Sequence, residues 1–95
     1  MQSDDRILTM HPQGKKGVNI QRDKYDFIKA YILDTIKKEE VITFSDLADR
    51  AVEEISDSFD GKVLWYITTI KLDLEARELI ERIPKTSPHQ LRLKE

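Results

Sequence analysis

Lys62-Val63-Leu64-Trp65-Tyr66-Ile67-Thr68-Thr69-Ile70-Lys71-Leu72-Asp73-Leu74-Glu75-Ala76-Arg77 runs almost directly into Leu79-Ile80-Glu81-Arg82-Ile83, Pro84-Lys85-Thr86-Ser87-Pro88 and His89-Gln90-Leu91-Arg92-Leu93. In the first segment Val63, Tyr66, Ile67, Ile70 and Leu74 recur every three or four residues, which places them on one stripe of a helix. Leu64, Trp65, Thr68, Thr69, Lys71, Leu72 and Asp73 then lie beside or opposite that stripe. After Arg77 the period drops to two. Leu91 and Leu93 alternate with Gln90, Arg92 and Lys94, as in a half-buried strand. Pro84 and Pro88 hold their neighbours in extended or turn geometry, so the residues between them form a compact loop. The segment therefore predicts a long helix followed by a two-stranded hairpin.

Working upstream, Tyr25, Ile28, Ile32 and Ile36 mark an amphipathic helix over about 21–38, with Phe27, Tyr31 and Leu33 widening its apolar face. Asp23 and Asp26 suit the positive end of the helix dipole, and Lys37 and Lys38 the negative end. Val41-Ile42-Thr43 is β-rich and leads into a second helical pattern of Phe44, Leu47, Ala48, Ala51, Val52 and Ile55. Thr43 or Ser45 caps that helix, and Asp46 stands close to the position of a capping-box acid. Its outer face carries Asp46, Asp49, Glu53, Glu54 and Asp57 with Arg50. That is either a solvated face or an acidic docking surface. Asp60 or Ser58 is expected to cap the third helix. The short strand at 41–43 can pair with the terminal hairpin, because three strands packed on helices are stable where a lone hairpin is marginal.

Residues 1–20 show no clean period and are interrupted by Pro12, Gly14 and Gly17. They are expected to form an N-terminal extended arm, within which Ile7-Leu8-Thr9-Met10 can add a short edge strand. The arm packs a few apolar residues on the domain at 21–95, or it touches a phosphate backbone or a second subunit through Lys15 and Lys16.

Ninety-five residues suffice for one small core. A hydrophobic fraction of 39% beside 36% charged residues is that of a folded domain with a heavily charged surface, not of a disordered chain. Cysteine is absent, which removes disulfides, thiolate metal ligands and thiol nucleophiles. No apolar run approaches the roughly 18 residues of a membrane span, and the polar start lacks the layout of a secretory leader, so a cytoplasmic setting without membrane contact is expected. The net charge of −2 conceals segregation: residues 11–38 carry +4, residues 39–60 carry −7 and residues 61–95 carry +2. This permits a basic face without establishing one.

Ile42-Thr43-Phe44-Ser45-Asp46-Leu47-Ala48 resembles the passage from strand to helix in many bacterial winged-helix domains. Leu72 through Arg82 resembles the passage from recognition helix to wing in the same superfamily. The chain looks like a small, functionally uncharacterised bacterial family in which that fold is expected, and the likeness spans about residues 22–93. It implies an α+β, winged-helix-like domain, three helices with a small antiparallel sheet, in the order helix, strand, helix, helix, strand, strand. Winged-helix regulators often place Gly where Glu78 stands, since that corner can require a left-handed backbone. Here either the corner differs or Glu78 tolerates the strain.

The two histidines, His11 and His89, each adjoin a proline, lie far apart, and suit solvent-facing loop or strand positions rather than metal ligation. Phosphate loops, nucleophile elbows and dinucleotide fingerprints are missing. The chain is therefore expected to be non-enzymatic, without metal, cofactor or small-molecule ligand, and to recognise a macromolecule. The resemblance puts DNA slightly ahead. Lys62, Thr68, Thr69 and Lys71 would then face the major groove. Lys85, Arg82 and Arg92 on the wing, with Lys15 and Lys16, would touch phosphates. The third helix nevertheless carries few of the Arg, Asn and Gln side chains that read base edges. Trp65, Leu72 and Leu64 open the competing reading. Trp65 packs under the arm, or it forms with its neighbours an apolar patch used for homodimerisation or for docking a protein partner.

Overall fold

Four side chains at helical spacing, Tyr25, Ile28, Ile32 and Ile36, are buried along α1 (Arg22–Glu39) and form the centre of the core. A computed structural model describes residues 5–94; Met1–Asp4, the head of the expected arm, and Glu95, the end of the expected domain, lie outside the described residues. Across from α1 pack α2 (Phe44–Ile55) and α3 (Val63–Ala76), through Leu47, Ala51, Ile67, Ile70 and Leu74. The core closes beneath a small sheet of β3 (Ile42–Thr43), β4 (Ile80–Ile83) and β5 (Gln90–Leu93), which adds Ile42, Ile80 and Leu91. Its order is β3-β5-β4, antiparallel throughout, with Ile42 opposite Leu91 and Ile80 opposite Leu93. The domain is thus α+β, with three helices and a small antiparallel sheet, and β3 joins the terminal hairpin as its spacing predicts.

Local chemistry accounts for the junctions. Thr43 caps α2 by accepting the Asp46 N–H at 3.0 Å. Neither Ser58 nor Asp60 caps α3: its cap position is Lys62, which makes no side-chain capping bond. Gly61, at φ 149°, passes beneath two rings; a Cβ there would sit 2.8 Å from Tyr66 and 3.0 Å from Phe59. The corner between α3 and β4 is left-handed, with Glu78 at φ 64°. Of the two alternatives for that corner, Glu78 bears the strain.

Residues 5–21 do more than trail along the domain. β1 (Arg6–Leu8) pairs antiparallel with β2 (Asn19–Gln21), Ile7 opposite Ile20, and Ile20 is buried in the core. The ribbon closes tightly where Thr9 N–H donates to Val18 O at 2.9 Å and Val18 N–H donates to the Thr9 hydroxyl at 3.0 Å. Gly17 is required beside this closure, since a Cβ would lie 1.8 Å from the Thr9 carbonyl oxygen.

What fastens the ribbon is Asp73. This residue, expected beside or opposite the core stripe, is fully buried on the flank of α3 that meets α1 and the ribbon. Its carboxylate accepts the Tyr25 hydroxyl of α1, the Met10 N–H of the ribbon at 2.8 Å, and the Arg77 Nε–H one turn along α3 at 2.9 Å. Arg77 in turn donates to the Leu8 carbonyl at 3.4 Å. Burial, reinforced by the bond to Asp73, raises the Tyr25 phenol well above its ordinary value and keeps it a donor.

Asp73→Ala should cost about 3 kcal/mol in urea unfolding, because it strands the buried Tyr25 hydroxyl and a partly buried N–H and unpairs Arg77. Hydrogen exchange at Met10 should accelerate more than at amides in the middle of α3. Glu78→Gly should raise stability by about 0.5–1 kcal/mol by relieving the left-handed corner; a loss would show that Glu78 carries a compensating contact.

Candidate functional site

Helix α3 is enclosed on three sides. Val63, Ile67, Ile70 and Leu74 face the core, Asp73 faces α1 and the ribbon, and the flank bearing Lys71 and Glu75 faces His89, just ahead of β5, and Phe44 at the start of α2. One side remains open. It presents Leu64 and Trp65, which are 54% and 45% exposed, then Thr68 and the half-buried Leu72. The Thr68 hydroxyl is already donated to the Leu64 carbonyl at 2.9 Å.

The ribbon adjoins this open side. Thr9, Met10, His11, Lys16, Gly17 and Val18 form one wall of a cleft of about 180 Å³, and Trp65, Thr69 and Leu72 form the other. Trp65 therefore lies against the ribbon while keeping almost half its surface in water. On its other side an aromatic series crosses the molecule. The Trp65 ring meets Tyr66 edge-on at 5.0 Å, Tyr66 meets Phe59 edge-on at 5.0 Å, and Phe59 stacks on Phe27 of α1 at 5.8 Å. Phe27, expected to widen the core face of α1, is instead 46% exposed. Val52, likewise assigned to the core face of α2, is exposed as well.

The expected nucleic-acid contacts divide. Lys71 is a correction: it is only 4% exposed, with its ammonium 2.8 Å from Glu75 Oε2 and over the Phe44 ring at 5.2 Å. It approaches Glu75 off the hydrogen-bonding axis, so the pairing is Coulombic, and no charge is left for a groove. Thr69 is half-buried in the cleft, whereas Lys62 is exposed at the head of α3. Lys15 and Lys16 are exposed on the ribbon loop. On the wing, Arg82 is exposed on β4 and Lys85 at the turn with φ 64°, while Arg92 donates to Glu81 at 2.7 Å. Of the twelve candidate residues the structure gathers Trp65, Thr69, Leu72 and Lys16 at one cleft, with Leu64 next in sequence to Trp65. The wing cations sit on separate elements. Met10 and Val18 line the same cleft and Phe27 and Phe59 continue the ring contacts away from it, and none of the four is among the candidates. For the first two no periodic signal exists, whereas Phe27 stands off the strict 25-28-32-36 spacing.

The remaining polar clusters are structural. Tyr31 donates to Glu54 at 2.8 Å, and its phenol is pushed up to about 12 by burial and then by that bond. Among the described residues no group of three His, Cys, Asp or Glu side chains is placed to hold a metal, and no helix is long and apolar enough to cross a membrane. His89 corrects an expectation too. It is half-buried and stacked on Phe44 at 5.7 Å, with its Nε2 enclosed and unbonded.

These features define a three-helix α+β domain whose last helix is walled in by an N-terminal ribbon and a C-terminal hairpin. The chain belongs to the family described as a family of unknown function (DUF6958), which matches residues 6–91. Neither the curated proteins nor the solved structures contain a match to it.

Burial first, and then the charges of Lys71 and Arg82, lower the His89 pKa against a smaller upward pull from Glu75. The unfolded chain therefore binds a proton on His89 more readily than the folded one. The resulting stability is complete above the ordinary imidazole value of 6.5 and is lost as pH falls from there through the lower folded value. Urea midpoints should accordingly fall between about pH 7.5 and 5.5. His89→Phe, which keeps the stack on Phe44, should flatten that decline; an unchanged slope would assign it to other groups.

Proposed function

We propose that this chain is a cytoplasmic, non-enzymatic recognition module that binds protein, not duplex DNA, through the open side of α3 and the adjoining ribbon loop. The observation that carries the reading is the character of that open side: Leu64, Trp65 and Leu72, without an exposed cation between Lys62 and Arg77. Affinity for DNA rests on neutralising phosphates, and base readout on bidentate polar side chains. The face supplies neither, because Lys71 is spent inside the protein and the Thr68 hydroxyl is spent on the helix backbone. Half-exposed aromatic side chains beside an apolar cleft are instead the usual composition of a protein interface.

The likeness to winged helices supports this reading as readily as a regulatory one, since a shared fold hosts unrelated functions. The element order and the β3-β5-β4 sheet support that likeness. If the wing cations Arg82 and Lys85 acted on DNA by themselves, they would give weak binding without sequence preference.

Fluorescence anisotropy with a labelled random duplex should show no association tighter than about 100 μM at roughly 50 mM salt. Tighter binding that weakens steeply with added salt, and that Lys62→Ala or Lys85→Ala reduces, would overturn the proposal in favour of DNA.

A further inference from the structure

We infer that His89 is a proton-operated latch on the terminal hairpin: protonation expels its ring from the enclosure, frees the loop at 84–89 and uncovers the Lys71–Glu75 pair of α3. The device lies on a different flank of α3 from Leu64 and Trp65 and is independent of what binds there. The loop itself is largely in water, with Pro84, Lys85, Ser87 and Pro88 exposed. The Thr86 hydroxyl donates to the Ile83 carbonyl at 2.8 Å and accepts the Gln90 N–H at 3.0 Å, both within the hairpin. Its fastening to α2 is His89, whose carbonyl accepts the Phe44 N–H at 3.1 Å and whose ring stacks on Phe44 at 5.7 Å. Beyond it Leu91 is already buried in the core and in register with Ile42 and Arg82. Letting go of His89 therefore releases the loop and leaves the sheet in place.

The imidazole is seated where only its neutral form is at ease. From α3 it faces Lys71 and Glu75, and from β4 it faces Arg82. Helix α2 meets it with the uncharged Phe44, and β3, Ile42–Thr43, has nothing titratable. The Lys71 and Glu75 side chains are 6% and 7% exposed, with the ammonium 2.8 Å from Oε2. His89 Nε2 and Glu75 Oε2 are both enclosed and without a hydrogen bond. A proton added to the ring thus puts a second cation beside the Lys71 ammonium, with one carboxylate between the two. An enclosed charge without a partner of its own is costly, so one cation has to leave. Lys71 is buried in the body of a helix, whereas His89 ends a surface loop and is only half-buried, so His89 is the one that leaves. The same balance shows in its pKa: burial, then Lys71 and Arg82, hold it below the ordinary 6.5 against the weaker pull of Glu75.

The test is an NMR titration of the full chain between about pH 7.5 and about 4.5, with circular dichroism to confirm folding. It follows the ring proton on His89 Cε1 together with the backbone amides. The ring should titrate with a midpoint below 6.5, and the Phe44 and Gln90 amides should move with that same midpoint while Ile28 and Ile32 of α1 hold still. Protection of the Phe44 amide against hydrogen exchange should fall about tenfold between about pH 7.5 and about 5.5, as one proton bound per opening requires. In His89→Phe the changes at Phe44 and Gln90 should vanish. Lys71→Met removes the rival cation, so the midpoint should rise by about one pH unit and the loop should stay closed. Arg82→Gln, at an exposed position that leaves the core untouched, should move the midpoint the same way by a smaller step. A ring that titrates at or above 6.5, or one that titrates without moving Phe44 and Gln90, would overturn the inference. So would amide changes that persist in His89→Phe, or a midpoint that neither Lys71→Met nor Arg82→Gln raises.

Discussion

Asp73 stands in the interior as a carboxylate that the fold has to satisfy, and most of the molecule's arrangement follows from how it does so. An isolated buried carboxylate is costly; it is tolerated where its lone pairs are filled and an opposite charge is near. Here the donors come from three places, the Tyr25 hydroxyl of α1, the Met10 N–H of the ribbon and Arg77 of α3 itself. Two of them are 48 and 63 residues distant in the chain. The carboxylate thereby sets the spacing of α1 against α3 and pins the ribbon to the helix. Without it a two-stranded ribbon of three-residue strands would be only marginally stable in water.

The same economy operates on the opposite flank of α3, where Lys71 lies against Glu75 and the Phe44 ring, under the hairpin and the start of α2. A helix that buries a charge on each flank as well as an apolar stripe has only a narrow strip left for water. That is why α3 is apolar nearly all round, a pattern ordinarily found in buried helices. The strip it keeps open, at Leu64 and Trp65, is apolar although exposed.

How far the sequence discloses this depends on the kind of signal. The 25-28-32-36 spacing marks α1, Thr43 is a legible cap, and the change of period after Arg77 marks the hairpin, because each is a local pattern of several residues. The left-handed corner is visible as an alternative at Glu78. The buried charges are not legible: a lone Asp or Lys in a helix has the same local signature whether it faces water or a partner sixty residues away. The second ribbon strand is hidden for a related reason, since Asn19-Ile20-Gln21 contains one apolar residue and so has no period. Trp65 is visible as an anomaly with the arm as one of its two expected settings, and it does lie against the arm; the residues of the cleft wall are not legible, because they come from a stretch of Pro, Gly and Lys that reads as loop.

Magnitudes bear on how such a surface would be used. Burying a large apolar side chain fully contributes about 1.5–3 kcal/mol, so a half-exposed one has about 1 kcal/mol still to gain. Leu64, Trp65 and Phe27 together offer about 3 kcal/mol to a partner that covers them. Association itself costs at least about 4 kcal/mol of lost translational and rotational freedom. Cover of these three side chains alone therefore falls short of that cost, and a partner would have to add apolar side chains or charged contacts of its own. The core is closed within the one chain by α1, α2, α3, the sheet and Ile20 of the ribbon. A partner that covered so modest a surface on a chain with its own core would associate reversibly with it.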